Sequence, residues 1–374
     1  MAKPKILVTA AAGHTGTPAT LQLLAQGHSV RCLVHRIDAR SERLRAAGAE
    51  VVAGSMTDPA DVARALAGVE RAYLCPPWGP DVLHVVSTFA VAAREAGLES
   101  IVALSQWLAS PRHPSMATRG LWLMEQTLPR MAECAVTIVN PGFFADNYMR
   151  ILEPIAQLGV MPMPLGQGEN APPSNEDIAR VIVGALLDPA RHAGRTYRPT
   201  GPRLLSPGAI AGTFAKVLGR RVRYVDLPSW MFRKAMRALG ISAFEQSQLR
   251  YYLEDYRRNA FAVSAPTDAV EVVGGCGAED FETIARRYAT ARPEARRSLA
   301  GMGRALASLA QILATPALDL DRVERVQGHP QIAGSELATE SEVWRATRRE
   351  PGFGSGGVRT PADAPLAAAS PCAP

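Results

Sequence analysis

The first 140 residues alternate short apolar runs with segments in which apolar residues recur every three or four positions. The runs Lys5 to Thr9, Ser29 to Val34, Ala49 to Ala53, Arg71 to Cys75, Ser100 to Leu104 and Ala135 to Val139 predict strands. Between them, Thr15 to Gln26, Ala39 to Ala47, Pro59 to Leu66, Pro80 to Ala96 and Ser115 to Met131 predict helices; Leu21, Leu24 and Ala25 show the spacing. Gly27, Gly48, Gly68 and Gly97 stand at or just past the helix ends, where left-handed caps form. Asp58 followed by Pro59 reads as an N-cap and a first-turn proline. Strand–helix alternation at this spacing implies right-handed crossovers and a parallel sheet covered on both faces. Ligands on such sheets lie beyond the carboxyl ends of the strands.

After Pro141 the texture changes. Pro154 to Pro173 is rich in Pro and Gly and reads as loop. A helix follows over Ile178 to Leu187, then short strands at Thr196 to Thr200 and Val222 to Asp226. Helices are predicted at Pro207 to Leu218, Ser229 to Leu239 and Ala243 to Arg257. From Arg292 to Leu313 one more helix carries Leu299, Met302, Leu306, Leu309, Ile312 and Leu313 as an apolar stripe. Packing of that stripe on the body or on another subunit is favoured over membrane contact.

Chemistry enters at the first crossover. The run Ile6-Leu7-Val8-Thr9 feeds into Ala10-Ala11-Ala12-Gly13-His14-Thr15-Gly16 and then into a helix. A strand, a tight turn and a helix start within a dozen residues aim backbone N–H groups and a helix N-terminus at one point, where a pyrophosphate can sit. Gly13 allows close approach to phosphates, and Gly16 lets the helix pack on the sheet. Ala10 holds the first position of the usual glycine triplet, at a cost of about 1–2 kcal/mol if that position needs positive φ. About twenty residues further on, the second strand ends in Val34-His35-Arg36. Arg36 suits the 2′-phosphate of NADP(H), with Arg40 and Arg43 as helpers, while Asp38 argues for NAD(H). The bland alternative is an arginine that solvates a strand end.

The net charge is +6, carried almost wholly by scattered arginines, with no basic run of five or more. That excludes an obvious nucleic-acid surface but suits a phosphorylated cofactor. Five cysteines without a C-x-x-C argue against a zinc site or a disulfide framework, and each reads as a buried hydrophobe or a free thiol. No metal site is expected. No apolar run approaches the ~18 residues of a membrane span, and the first residues resemble no signal peptide, so a cytoplasmic protein is expected.

The Tyr–Lys pair with which short-chain dehydrogenases protonate a carbonyl is missing: no Tyr lies between Tyr73 and Tyr148, and no Lys between Lys5 and Lys216. The chain instead resembles the NmrA-like branch of the atypical short-chain dehydrogenases. The resemblance rests on the Ala10 to Gly16 loop, Val34-His35-Arg36, Gly54-Ser55-Met56-Thr57-Asp58, Leu74-Cys75-Pro76-Pro77, Leu104-Ser105 and Asn140-Pro141-Gly142-Phe143-Phe144-Ala145-Asp146-Asn147. Gly194-Arg195-Thr196-Tyr197 and Leu218-Gly219-Arg220-Arg221-Val222 extend it into the second lobe. It implies a doubly wound parallel Rossmann sheet with a smaller, mostly helical C-terminal lobe. The implied divisions are an NAD(P)-binding domain at 1–150, a substrate lobe at 151–290 interleaved with it, a helical extension at 291–350 and a disordered tail at 351–374. Several members place Lys or His four residues before a glutamate on the helix after the fifth strand; that glutamate is Glu125, and the position is Leu121, which cannot donate a proton.

The cofactor contacts then expected are Ala10, Ala12, Gly13, His14, Thr15, Gly16, His35, Arg36, Ser55, Met56, Pro76, Ser105, Pro141, Gly142 and Phe143. The amides of Gly142 and Phe143 are candidates for the nicotinamide carboxamide. Phe143, Phe144, Trp107 and Trp122 shape an apolar acceptor pocket or simply pack in the core. Ser105, Arg119 and Tyr148 are candidates for the chemistry; Ser105 reads equally as a helix cap, and His113, before Pro114, as a solvated loop residue. The expected cofactor is NADP(H), with NAD(H) as the alternative. The expected activity is hydride transfer to a quinone or conjugated carbonyl compound. A non-catalytic NADP(H) sensor acting through a protein partner is the second reading, and an isomerase the third. The partners expected are a small apolar substrate or a regulatory protein, without nucleic acid or membrane, in a chain compatible with homo-oligomers.

Overall fold

A computed structural model describes residues 3–349. The first lobe runs β1 (Ile6–Thr9), α1 (Gly16–Ala25), β2 (Val30–Val34), α2 (Ala39–Ala46), β3 (Glu50–Ala53), α3 (Pro59–Leu66), β4 (Arg71–Leu74), α4 (Val82–Glu95), β5 (Ser100–Leu104), α5 (Met116–Met131) and β6 (Ala135–Val139). There follow α6 (Asp146–Met149), α7 (Leu152–Leu158), β7 (Val160–Met163), α8 (Asn175–Leu187), α9 (Pro189–His192), β8 (Thr196–Tyr197), α10 (Pro207–Leu218), β9 (Arg223–Asp226), α11 (Ser229–Ala238) and α12 (Ala243–Arg257). The described residues close with α13 (Ala269–Gly274), α14 (Phe281–Ala291), α15 (Leu299–Ala314), α16 (Leu320–Val326) and α17 (Glu342–Arg349).

The main sheet has the order β3-β2-β1-β4-β5-β6-β8, every pair parallel. Its order reverses between β1 and β4, which opens a crevice at the carboxyl ends of those strands. The strand pleat divides the core: Ile6 and Val8 pack with Leu23, Ile178 and Ile182 on one face, while Leu7 packs with Val62, Phe89 and Met124 on the other. Thus α8, which follows the last strand of the first lobe, covers the same sheet face as α1. The helices start where the sequence supplies acceptors. Asp58 takes the amides of Ala60 and Asp61, and Ser115 takes that of Thr118.

Three expectations are corrected. The segment read as loop, Pro154 to Pro173, contains α7 and β7. Pro154 falls in the first turn of α7, where a missing N–H costs nothing, and Gly159 closes the helix at φ +69°. Val160 to Met163 then pairs with β9 in a separate two-stranded parallel sheet, whose free edges tolerate Pro162. The single helix read over Arg292 to Leu313 is broken by Pro293 into a short turn, and α15 starts only at Leu299, capped by Ser298. Cys32, Cys75 and Cys134 are free thiols, whereas Cys276 is disulfide-bonded, a pairing that spacing along the chain did not reveal. The tail read as disordered from Pro351 lies outside the described residues.

A third core holds the second lobe together around Trp107, Phe143, Tyr148, Tyr256, Phe261 and Trp344. The last helix is locked into it. Trp344 Nε1 donates to the Trp107 carbonyl at 2.9 Å. The Arg348 guanidinium bonds the same carbonyl and stacks 4.4 Å from the Trp107 ring and 4.8 Å from the Trp344 ring. Trp344→Ala removes a fully buried indole and its hydrogen bond, and is expected to cost about 3–5 kcal/mol in urea unfolding.

Candidate active site

The turn between β1 and α1 is as tight as its sequence demands. A Cβ on Gly16 would lie 2.4 Å from the Ala10 carbonyl oxygen and 2.8 Å from the Ala11 Cα; on Gly13 it would lie 2.9 Å from the same oxygen. Ala10 adopts φ +48°, so alanine bears the left-handed cost here, about 1–2 kcal/mol. Side chains anchor the turn from below. Thr15 Oγ1 meets the Tyr73 hydroxyl at 2.8 Å, Thr17 Oγ1 donates to the Ala11 carbonyl, and Thr9 Oγ1 bridges the Tyr73 carbonyl and the Cys75 amide. Among the described residues, the amides of Ala12, His14, Thr15 and Gly16 have no acceptor. Unpaired amides beside a helix N-terminus form an anion cradle, so the turn fits a pyrophosphate.

At the end of β2, His35 and Arg36 are exposed, and Arg36 has no acidic partner among the described residues. Asp38 is occupied otherwise. It caps α2, accepting the amides of Arg40 and Ser41, and pairs with the Arg40 guanidinium at 2.7 Å. The Arg40 hydrogen bond is the main reason its carboxyl is held at about 2. Asp38 and Arg40 therefore neutralise each other, which leaves Arg36 and the exposed Arg43. Ser55 and Met56 are half-buried after β3, with the Ser55 amide on Asp61 Oδ2, and Pro76 is buried after β4. His14 reaches across to the second lobe, 3.3 Å from Asp146 Oδ2.

Beyond β5, Ser105 Oγ donates to Glu125 Oε1 at 2.5 Å, and Asn140 Nδ2, just past β6, donates to the same oxygen at 3.0 Å. Burial pushes the Glu125 carboxyl up to about 7, although Ser105, Asn140, Arg348 and Arg198 all act to lower it. Glu125 forms part of the floor of a cleft of about 370 Å³ between α5, β6, β8 and α17, whose walls include Trp122, Arg198, Trp344 and Arg348.

The NmrA-like family profile matches residues 2–257. The chain belongs to the NmrA-like family. An NAD(P)H azoreductase of Xenophilus azovorans is 30% identical over 293 residues, covering 76% of this chain and 98% of the relative. A (4-alkanoyl-5-oxo-2,5-dihydrofuran-3-yl)methyl phosphate reductase of Streptomyces griseus is 32% identical over 295 residues, with the same coverage. The crystal structure of an Escherichia coli NADPH-dependent quinone oxidoreductase with NADPH shares the fold. Its TM-score is 0.66 at 20% identity, over 75% of this chain and 99% of that one. The α13 to α17 region lies beyond the stretch that the family profile matches.

Within this NmrA-like chain, several candidates from the sequence lie away from the crevice. Tyr148 is fully buried, with its hydroxyl 2.7 Å from that of Tyr256; burial drives its pKa further above the usual phenol range, so it is a core residue. Arg119 is buried, with its guanidinium on the carbonyls of His113, Pro114 and Pro330, where it staples the extension to α5. His113, expected in solvent, is fully buried, 2.6 Å from Asp255 Oδ2. The Gly142 amide is engaged by the Pro199 carbonyl, which leaves only that of Phe143 for a ligand, and the Phe143 ring packs among Tyr148, Tyr252, Tyr256 and Phe261. Trp107 is likewise core. Asn140 and the wall from α17 were not foreseen as parts of the Glu125 site. Only the pairing of Ser105 with Glu125 across 20 residues gives them meaning.

The raised pKa sets a pH dependence of stability. The folded chain binds the Glu125 proton more tightly than the unfolded chain, whose value is near 4.5. Glu125 therefore makes stability fall as pH rises from about 4.5 to about 7, with no further change above. Glu125→Gln keeps an acceptor for Ser105 and Asn140 but cannot ionise. Urea midpoints measured from pH 5 to pH 8 should decline more steeply in the parent chain than in this variant.

Proposed function

We propose that the chain is an NAD(P)H-dependent oxidoreductase that prefers NADP(H) and reduces quinones or conjugated carbonyl compounds. The observation that carries this reading is the Ala10 to Gly16 turn, with unpaired amides at Ala12, His14, Thr15 and Gly16 and no room for a side chain at position 16. Two relatives matched almost end to end are named as reductases, one of them NAD(P)H-dependent. The preference for the 2′-phosphate rests on Arg36, whose charge is unopposed once Asp38 is engaged by Arg40.

When bound, the dinucleotide supplies the hydride. The turn amides would hold its diphosphate, with His35, Arg36, Ser55 and Met56 toward the adenosine, and Pro76, Ser105, Pro141 and the Phe143 amide would hold the nicotinamide. A reduced quinone leaves a phenol-like oxygen with a pKa near 10, which water protonates readily. More basic products need a proton source. Leu121 offers none, but Glu125 holds a proton near neutrality and is in contact with the Ser105 hydroxyl.

NADPH consumption over a panel of quinones and enones tests the activity. Turnover should appear in the parent chain and vanish in Gly16→Ala, because the added Cβ displaces the turn. Tight NADPH binding without turnover on any acceptor would favour a sensor. Arg36→Glu should weaken NADPH binding by about tenfold to a hundredfold and leave NADH binding nearly unchanged; equal losses for both would remove the assigned preference.

A further inference from the structure

The outer surface of α15 is a feature that the cofactor reading leaves unused. Gly301 and Ala305 are buried against the body, and Ile312, on the same side, is partly buried. Leu299, Leu306, Leu309 and Leu313 are 87%, 53%, 42% and 50% exposed. At 100° per residue these four leucines fall within one arc of roughly 80°, so they form a single stripe. The neighbouring α11 extends it. Lys234 Nζ donates to the Leu313 carbonyl at 2.7 Å and lies 5.8 Å from the centre of the Trp230 ring, and Arg237 Nη1 donates to the Pro316 carbonyl. Trp230, beside the stripe, is 47% exposed.

The charge around this ledge is predominantly positive. Neither residues 227–241 nor residues 295–318 contain an Asp or Glu, yet they carry Arg233, Lys234, Arg237, Arg296, Arg297 and Arg304. Arg220 joins them through the Ala295 carbonyl, and the like charge of Arg297 helps burial to lower its pKa. The nearby acids are engaged: Glu153 with Arg304, Asp226 with Arg257 and Asp321 with Arg250. A second copy docked face to face would set arginines against arginines. Leucines and a tryptophan with an excess of cations around them match the surface of an anionic bilayer, where the apolar residues enter the headgroup boundary and the cations meet lipid phosphates.

We propose that α11 and α15 form a peripheral docking face for membranes containing anionic phospholipid, in place of the membrane-free surface expected from the sequence. No helix among the described residues is long and apolar enough to cross a membrane, so this attachment is to the surface. It stands independently of the cofactor and is tested without it.

The experiment is co-sedimentation of the full chain with vesicles of phosphatidylcholine alone and with roughly a third phosphatidylglycerol, together with the tryptophan emission. Binding is expected only to the anionic vesicles, weakening as salt rises, with a blue shift that Trp230→Phe reduces. The double variant Leu306→Gln/Leu309→Gln changes exposed positions, so its melting temperature should match the parent, while vesicle affinity falls at least tenfold. Arg296→Glu/Arg297→Glu should weaken binding at low salt. The proposal is overturned if no vesicle binds the chain, or if binding is unchanged in the leucine variant. Light scattering that shows a dimer split by Leu306→Gln/Leu309→Gln, without vesicle affinity, would assign the face to a second copy and equally overturn it.

Discussion

Three parts of the chain are fastened at Trp107. Its indole N–H donates to the Ala260 carbonyl in the second lobe, and its own carbonyl accepts from Trp344 and Arg348 in the extension. Trp107 itself stands two residues past Ser105, on the loop leaving β5. The position of the Ser105 hydroxyl over Glu125 is therefore set by more than the Rossmann sheet. It depends on an aromatic and cationic stack that only the complete described chain assembles. Buried hydrogen bonds to one carbonyl are costly to break singly, because each leaves a donor without water, so the three parts hold together as a unit.

The sheet and its first helices were legible because local pattern and tertiary role agree there. In β1, Ile6, Leu7 and Val8 are all buried because both faces of the sheet are covered, and the sequence shows this as a continuous apolar run. Asp58 and Pro59 start a helix whatever lies around them. Legibility ends where long-range contact decides. Val160 to Met163 has little strand character in isolation, and it becomes a strand because β9, more than 60 residues later, offers a partner. The stripe in α15 was seen correctly as an apolar periodicity, but not the side it faces. Periodicity does not distinguish a face packed inward from one left outside, and here Gly301, Ala305 and Ile312 lie on the inward side while four leucines stay exposed.

The site divides in the same way. The glycine turn is written in consecutive residues, so its steric demands could be read directly, including the cost that Ala10 bears. Asp38 pointed toward NAD(H) by its place along the chain, but its carboxylate turns back to cap α2. Tyr148 and Arg119 have suitable chemistry at plausible positions, and burial assigns them to the core. The Ser105, Glu125 and Asn140 cluster joins three elements and could be assembled only in three dimensions. There burial pushes the Glu125 carboxyl up to about 7 against the pull of its hydrogen-bond partners.

The clasp on Trp107 also bears on how the molecule comes into being. Trp344 lies 237 positions downstream of the carbonyl it binds. On a ribosome the Rossmann strands can pair long before that indole emerges, because domains tend to fold as their segments are synthesised. The nascent chain thus carries a nearly finished sheet with an unsecured loop at its working end. The helix that carries Trp344 is the piece that fastens an early-folding scaffold into place.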